Sequence, residues 1–212
     1  MAISKLLRPL LRQSPRLQPL QHLRRSSSNG PKVPPTYYSL FPNTLPLGPP
    51  PSGPFDLDPR ALRQEFFKLQ QLTHPDTVTD PTLKRQAEGG SAYLNRAYST
   101  LLSPLHRAQY ILQLRGIDVA EDENLKMDDQ ELLMEVLEAR EEIEEAQSEE
   151  DLWPMKVINE ERIRGSLKRL GELFKEDDLE NAKVETVRLR YWVNIRESLN
   201  SWEKGKPVVL AH

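Results

Sequence analysis

The chain has 212 residues, of which 29% are charged, and its mean hydropathy is −0.63. It contains no cysteine, which excludes disulfide bonds, thiolate metal sites and a cysteine nucleophile. No apolar run approaches the roughly 18 residues that a membrane span needs, so we expect no membrane association. Residues 1–55 hold seven basic and no acidic residues, whereas residues 56–212 carry a net charge of −10. The acidic part disfavours nucleic-acid binding, and no local basic patch is evident.

The first 30 residues alternate leucine with arginine and end in a serine cluster. This pattern predicts a mitochondrial transit peptide over residues 1–30 and a location in the mitochondrial matrix. A disordered basic arm is the alternative. The next segment, residues 31–54, is rich in proline, and no continuous helix can cross it. Within it, Tyr37–Phe41 is predicted to form a helical turn that packs on the elements after it.

Three helices are predicted next. The first begins at Asp58–Pro59, where aspartate caps the helix and proline fits the first position, and it ends at Thr73–His74 because another proline comes next. The second begins at Asp80–Pro81 and stops before Ser103–Pro104, which begins the third; Gly116 ends that one. The predicted buried residues are Leu62, Phe66, Leu69 and Leu72, then Ala87, Leu94, Ala97 and Leu101, then Leu105, Ala108, Ile111 and Leu114.

An acidic linker over residues 117–127 precedes a second all-helical domain. Its first helix begins at Asp128 or Asp129, and the other two cover roughly 149–175 and 177–203. Apolar spacing suits a three-helix bundle. The first helix carries Leu132, Leu133, Val136, Leu137, Ala139, Arg140 and Ile143. The positions that suit the bundle are Val157, Ile163, Leu167, Leu170 and Phe174 in the second helix and Val184, Val187, Leu189, Tyr191, Ile195 and Leu199 in the third.

No motif for catalysis or metal binding is present. His106 lies in the first turn of a predicted helix, no histidine has a metal-ligand spacing, and neither a nucleophile motif nor a Gly-rich phosphate loop occurs. We therefore expect a non-enzyme without catalytic residues, metal or cofactor. A hydrolase that uses His74 and Asp76 is the alternative. It lacks a nucleophile, and the tip of a turn does not exclude water.

The tripeptide His74-Pro75-Asp76 lies at the predicted tip between two antiparallel helices. Alone it is a weak signal, since an ordinary helix-joining turn can have the same sequence. Its context is stronger, because the second helix carries the run from Leu94 to Leu101 and is followed by Ser103–Pro104. With these features the sequence resembles a J-domain.

A second motif narrows the resemblance. Leu132-Leu133-Met134-Glu135 is followed by Leu137-Glu138 and by Arg140-Glu141-Glu142. From about Tyr37 to about Trp202, the chain resembles the HscB family, the J-type co-chaperones of iron–sulfur cluster biogenesis. A general mitochondrial J-protein of protein folding or import is the alternative. The Leu-Met-Glu helix and the lack of a Gly/Phe-rich linker argue against it.

The resemblance implies an all-α, L-shaped arrangement of two domains. A J-domain helical hairpin covers residues 31–116 and carries a Pro-rich insertion at residues 45–54. A C-terminal three-helix bundle covers residues 128–203, and residues 204–212 form a tail.

The resemblance also implies two partners. One is a mitochondrial DnaK-type chaperone of the heat shock protein 70 family, whose ATPase the chain would stimulate. The other is the iron–sulfur cluster scaffold protein, which the chain would deliver for cluster transfer. The chaperone-binding positions are His74, Pro75 and Asp76, helped by Arg60, Arg63 and Lys68. The scaffold-binding positions are Leu133, Met134, Leu137, Glu138, Glu141 and Tyr191.

Helical geometry agrees with the scaffold-binding assignment. Leu133, Leu137 and Glu141 recur at i, i+4 and i+8, and a mixed apolar and acidic face suits a partner better than a core. The alternative is that Leu133 and Leu137 pack inside the bundle. Leu132, Val136 and Ile143 can supply that packing instead.

Overall fold

The computed structural model describes residues 36–73, 81–119 and 130–204. These residues contain six α-helices and one short 3₁₀ helix. The predicted all-α class is confirmed. None of the helices within these ranges is long and apolar enough to cross a membrane. After the 3₁₀ helix Tyr37–Leu40 come α1 (Pro59–Thr73), α2 (Pro81–Leu102), α3 (Pro104–Leu114), α4 (Gln130–Glu145), α5 (Trp153–Lys175) and α6 (Leu179–Ser201).

Side-chain caps begin several of these helices. The Asp58 carboxylate accepts a hydrogen bond from the backbone N–H of Arg60 at 2.8 Å, which confirms the predicted start of α1. Ser103 caps α3 in the same way. Helix α5 begins four residues later than predicted, because Asp151 accepts hydrogen bonds from two preceding backbone N–H groups and closes a turn there. The predicted starting residues of α2 and α4 lie outside the described residues.

Aromatic side chains hold the N-terminal elements together. Tyr38 and Phe41 are fully buried, so the predicted helical turn does pack on the helices after it. The Tyr37 ring stacks on Tyr110 of α3 with centroids 4.3 Å apart. Phe66 of α1 stacks on Tyr98 of α2 at 4.1 Å. These contacts join the 3₁₀ helix to α3 and α1 to α2.

A carboxylate of α1 anchors the start of the Pro-rich insertion, residues 45–54. Glu65 accepts hydrogen bonds from the backbone N–H and side-chain amide of Asn43 and from the backbone N–H of Thr44, at 2.8 to 3.0 Å. Desolvation raises the pKa of the Glu65 carboxyl, but the hydrogen bonds from Thr44 and Asn43 outweigh it and hold the pKa below its ordinary value. Leu45, the first residue of the insertion, and Phe55, which follows its last residue, are both buried in the core.

Four predicted core residues are exposed instead: Leu72, Leu114, Val157 and Val184. Leu72, which is 79% exposed, lies in the last turn of α1, beyond the aromatic contact with α2. In α3 the nearby Leu112 is fully buried, so the inner face is rotated away from Leu114. The side chain of Ala87 lies outside the described residues.

Phe55 joins the N-terminal helices to the C-terminal ones. Its ring lies 5.3 Å from the ring of Phe174 in α5, and the guanidinium of Arg107 in α3 lies 4.8 Å from its centroid. Arg107 is buried and donates to the backbone carbonyl of Leu101. Arg115 also pairs with Asp177 at 2.7 Å. One contiguous core therefore runs through α1–α3 and α4–α6, while the predicted domain boundaries stay predictions.

We expect Glu65→Gln to lower the free energy of unfolding by about 1–3 kcal/mol at pH 7, because a neutral amide replaces a buried carboxylate that accepts three hydrogen bonds. A carboxyl whose folded pKa is lowered stabilises the fold above its unfolded pKa, and that stabilisation is lost as the pH falls through the folded pKa. Urea unfolding at pH 7 and pH 3 should therefore show the variant's deficit shrinking in acid. Glu144→Gln, at an exposed position, is the control, and an equal deficit in it would contradict the assignment.

Candidate partner-binding surfaces

Helix α4 has two chemically different faces. Leu132, Val136, Ala139 and Ile143 are buried on one side. At 100° per residue, Met134, Leu137, Glu138 and Glu141 lie on the opposite side. We call those four residues the α4 stripe. Met134 is 62% exposed and Leu137 is 55% exposed, and both glutamates are exposed. The core alternative for Leu137 is therefore wrong.

Contacts with α5 and α6 fix the direction in which the α4 stripe points. Glu135 pairs with Arg162 of α5 at 3.4 Å, and the Arg162 guanidinium lies 4.8 Å from the ring centroid of Trp192 in α6. Trp202 donates its indole N–H to the carbonyl of Ile143 at 3.2 Å. Both ends of α4 are held, and its free face points away from α6.

The other two scaffold-binding positions differ from the stripe. Leu133 is half-buried at the boundary between the two faces of α4. Tyr191 belongs to α6 and packs, half-buried, against the core. Among the described residues no hydrogen bond or ring contact joins Tyr191 to α4. The structure thus gathers five of the six positions on one helix and leaves Tyr191 on another.

The basic residues predicted to help bind the chaperone lie on α1. Arg60, Arg63 and Lys68 are all exposed, whereas Leu62 on the same helix is buried. The Arg63 guanidinium lies 5.5 Å from the ring centroid of Phe67, which is 50% exposed. Sequence reasoning missed Phe67, although an aromatic residue four positions after an arginine on a helix is the pattern that signals such a pair.

His74, Pro75 and Asp76 lie outside the described residues, between the end of α1 and the start of α2. The helices that flank them are described and pack as an antiparallel pair. Gln70 of α1 bonds the side chain of Asn95 at 3.1 Å and that of Ser91 at 3.2 Å, just on the tip side of the aromatic contact. His106, exposed in the first turn of α3, is remote from this end of the hairpin. No group of three or more potential metal ligands occurs within the described ranges.

Comparisons with known proteins identify the family. The family described as the HSCB C-terminal oligomerisation domain matches residues 128–200. The mitochondrial J-type co-chaperone JAC1 of Saccharomyces cerevisiae is 33% identical over 181 residues, covering 84% of this chain and 94% of that protein. The chain belongs to the HscB/Jac1 family of J-type co-chaperones. Its mitochondrial Schizosaccharomyces pombe relative, jac1, is 34% identical over 77% of this chain and 72% of that protein.

Solved structures of the HscB/Jac1 family share the fold. The Jac1 co-chaperone from Saccharomyces cerevisiae matches with a TM-score of 0.67 and 31% identity, covering 81% of this chain and 98% of that one. The human co-chaperone protein HscB matches with a TM-score of 0.70 and 31% identity, covering 81% of this chain and 83% of that one. These relatives carry the names of co-chaperones and not of enzymes. The resemblance stated from the sequence is confirmed.

Because α4 buries one face and exposes the other, truncating a large apolar residue to alanine should affect stability differently on the two faces. We expect Ile143→Ala to lower the free energy of unfolding by about 2–5 kcal/mol, because Ile143 is fully buried. Leu137→Ala, on the exposed face, should change it by about 0.5 kcal/mol or less. Urea unfolding measures both. Equal losses in the two variants would mean that α4 packs through its other face.

Proposed function

We propose that this protein is a J-type co-chaperone of iron–sulfur cluster assembly. It binds the cluster scaffold protein through α4, delivers it to a mitochondrial DnaK-type chaperone and stimulates the ATPase of that chaperone, which promotes cluster transfer. The observation that carries the proposal is the α4 stripe, an apolar and acidic surface that the chain's own core leaves uncovered. The name of the human relative, iron–sulfur cluster co-chaperone protein HscB, supports the pathway.

The size of the α4 stripe predicts a reversible complex. Burying Met134 and Leu137 contributes about 1.5–3 kcal/mol each. Ion pairs made by exposed carboxylates such as Glu138 and Glu141 add about 0–1 kcal/mol each. Association costs about 4–15 kcal/mol, so the stripe needs help from its neighbours, Leu133 and Tyr191. A contact of this size releases its partner readily, as a delivery role requires.

The chaperone-binding end is proposed at the α1–α2 hairpin. His74, Pro75 and Asp76 contact the chaperone, and the exposed cations Arg63 and Lys68, with Arg60, attract an acidic surface on it. The Arg63 guanidinium lies over the ring of Phe67, and both side chains are exposed on α1. The ATP site belongs to the chaperone, so the co-chaperone itself needs no phosphate-binding loop.

The mitochondrial matrix is the proposed location. Residues 1–30 combine arginine, leucine and serine without an acidic residue, as transit peptides do. Two relatives are mitochondrial by name.

The scaffold contact predicts the effect of a double variant. We expect Met134→Ala with Leu137→Ala to weaken scaffold binding about 100-fold or more, because two exposed apolar side chains are lost from the contact. Stimulation of the chaperone's ATPase in the absence of scaffold should be unchanged. Calorimetric titration and an ATPase assay measure the two effects. The control is Ile158→Ala with Val184→Ala, which removes exposed apolar groups elsewhere in the bundle, and this variant should bind the scaffold normally. Normal scaffold binding by the Met134→Ala, Leu137→Ala variant would contradict the proposal.

The chaperone contact predicts the reverse pattern. We expect His74→Gln to reduce the chaperone's ATPase rate to its unstimulated value while scaffold affinity stays unchanged, because the scaffold contact is proposed on α4, which does not include His74. His106→Gln, an exposed histidine away from the hairpin tip, is the matched control and should stimulate fully. If the His74→Gln protein stimulates the chaperone's ATPase as strongly as the wild type does, the proposed J-domain role is wrong.

A further inference from the structure

A groove with an exposed apolar wall lies between the first half of α5 and the last turns of α6. It encloses a cavity of about 350 Å³. Trp153 and Val157 of α5 form the apolar wall and are 68% and 45% exposed. Within the described ranges no element covers this wall. Tryptophan is highly buried on average in folded proteins, so the exposure of Trp153 calls for a covering segment.

The described chain ends beside this wall. Leu199 and Asn200, in the last turn of α6, line the cavity together with Trp153. Trp202, which follows α6, donates its indole N–H to the carbonyl of Ile143 near the end of α4. The chain that leaves α6 therefore lies at the end of the groove where α5 begins.

Lys204, the last described residue, confirms this position. The Asp151 carboxylate, two positions before Trp153, accepts hydrogen bonds from the backbone N–H groups of Gln147 and Ser148, at 3.0 Å each. These hydrogen bonds hold the pKa of the Asp151 carboxyl below its ordinary value, and the positive charge of Lys204 lowers it further. Lys204 is thus a neighbour of the turn that precedes α5.

The residues that come next in the sequence are suited to the apolar wall. Residues 205–212, which lie outside the described residues, include three consecutive aliphatic residues, Val208, Val209 and Leu210. We call these three residues the aliphatic run. They follow Lys204 by four to six positions, a length of chain that spans at most about 13–20 Å. The apolar wall begins two residues after Asp151, so the aliphatic run can reach it.

We propose that the aliphatic run binds in the groove of its own chain, against Trp153 and Val157. Side chains two positions apart in an extended segment lie on one face, about 6–7 Å from each other. Trp153 and Val157 are one helical turn apart, about 6 Å along α5. Val208 and Leu210 can therefore contact both residues of the wall at once.

The charges around the groove agree with this placement. The exposed acidic residues Glu149, Glu150 and Asp151 come just before α5, where they attract Lys204 and Lys206. Further along, the cavity is lined by three cations, Lys156, Arg164 and Arg196, with one acid, Glu160. These cations disfavour the entry of a lysine, so the uncharged aliphatic run is the part of the segment that fits the cavity.

Tethering makes a weak contact sufficient. The effective concentration of a segment joined to its site by a few residues is about 1 mM. Ordering the segment offsets much of the gain from burying its side chains, so docked and free forms exchange. The docked run covers the wall and yields to any partner that binds the groove more tightly. This contact involves neither proposed partner, so it does not rest on the proposed function.

Acrylamide quenching of tryptophan fluorescence tests the proposal in the full chain. Trp153 is exposed, whereas Trp192 is buried and Trp202 is half-buried. Trp153→Phe, made in each background, supplies the signal of the other two for subtraction. We expect Val208→Ser with Leu210→Ser to raise the quenching constant of Trp153 about twofold or more. A tail at about 1 mM effective concentration occupies at least half of the grooves when its dissociation constant is about 1 mM or lower.

Three further variants make the test specific. Ala211→Ser with His212→Ser changes the tail outside the aliphatic run and should leave quenching at the wild-type value. Val157→Ser removes the groove side of the contact and should raise quenching, and its combination with the tail variant should raise it no further. Ile158→Ser, at an exposed position of α5 that does not line the cavity, is the matched control for Val157→Ser. Circular dichroism verifies that each variant is folded.

Three results would overturn the proposal. One is a tail variant in which Trp153 is quenched as in the wild type. Another is additive effects of Val157→Ser and the tail variant, which would mean that the tail shields Trp153 without binding the groove. The third is protection that grows between about 1 and 100 µM protein, which would place the tail in a second copy, because an intramolecular contact does not depend on concentration.

Neither the scaffold nor the chaperone is present in any of these measurements. The proposed co-chaperone function is therefore decided separately, by the Met134→Ala, Leu137→Ala variant.

Discussion

The packing of Phe55 between Arg107 and Phe174 is the contact on which the two halves of the molecule depend. A guanidinium in a protein core is tolerated only with hydrogen-bonding and π-system partners, which here are the carbonyl of Leu101 and the face of Phe55. The same aromatic ring touches α5 through Phe174. A residue that precedes α1 thus ties α3 to the C-terminal helices, and the helices that carry the two proposed partner surfaces belong to one core.

Helix α6 is the central helix on which α3, α4 and α5 pack. Its buried residues, which include Ala182, Val187 and Ile195, point in most directions around the helix axis, so α6 is covered by other elements on nearly every side. Helix α4 packs on it with a single face, and α3 and α5 take other sides. The remaining face of α4 has no intramolecular partner among the described elements, which is why an apolar and acidic surface survives there.

The sequence predicted the features that depend on local pattern. The Asp58–Pro59 and Ser103–Pro104 starts, the glycine end of α3 and the division of α4 into two faces all result from capping and from helical periodicity. The exposure of single residues such as Leu72 and Val157 could not be predicted. Helical periodicity shows which face of a helix is apolar, but not how far along that face the neighbouring helix packs. The burial of Glu65 depends on Asn43, 22 positions away, and that of Arg107 on Phe55, 52 positions away. Charged residues are ordinarily solvated, so local pattern does not predict such burial.

A continuous core limits how a two-ended adaptor can act. The structure shows one packing for each described element, whereas transmission of a signal between sites needs an element with two. Tethering needs no second packing: with α1 and α4 in one core, a scaffold bound at the proposed α4 contact would meet the chaperone at a raised effective concentration. On this reasoning the two contacts should be energetically independent in the co-chaperone alone. Any cooperativity between scaffold and co-chaperone in stimulating the ATPase would then arise where both touch the chaperone.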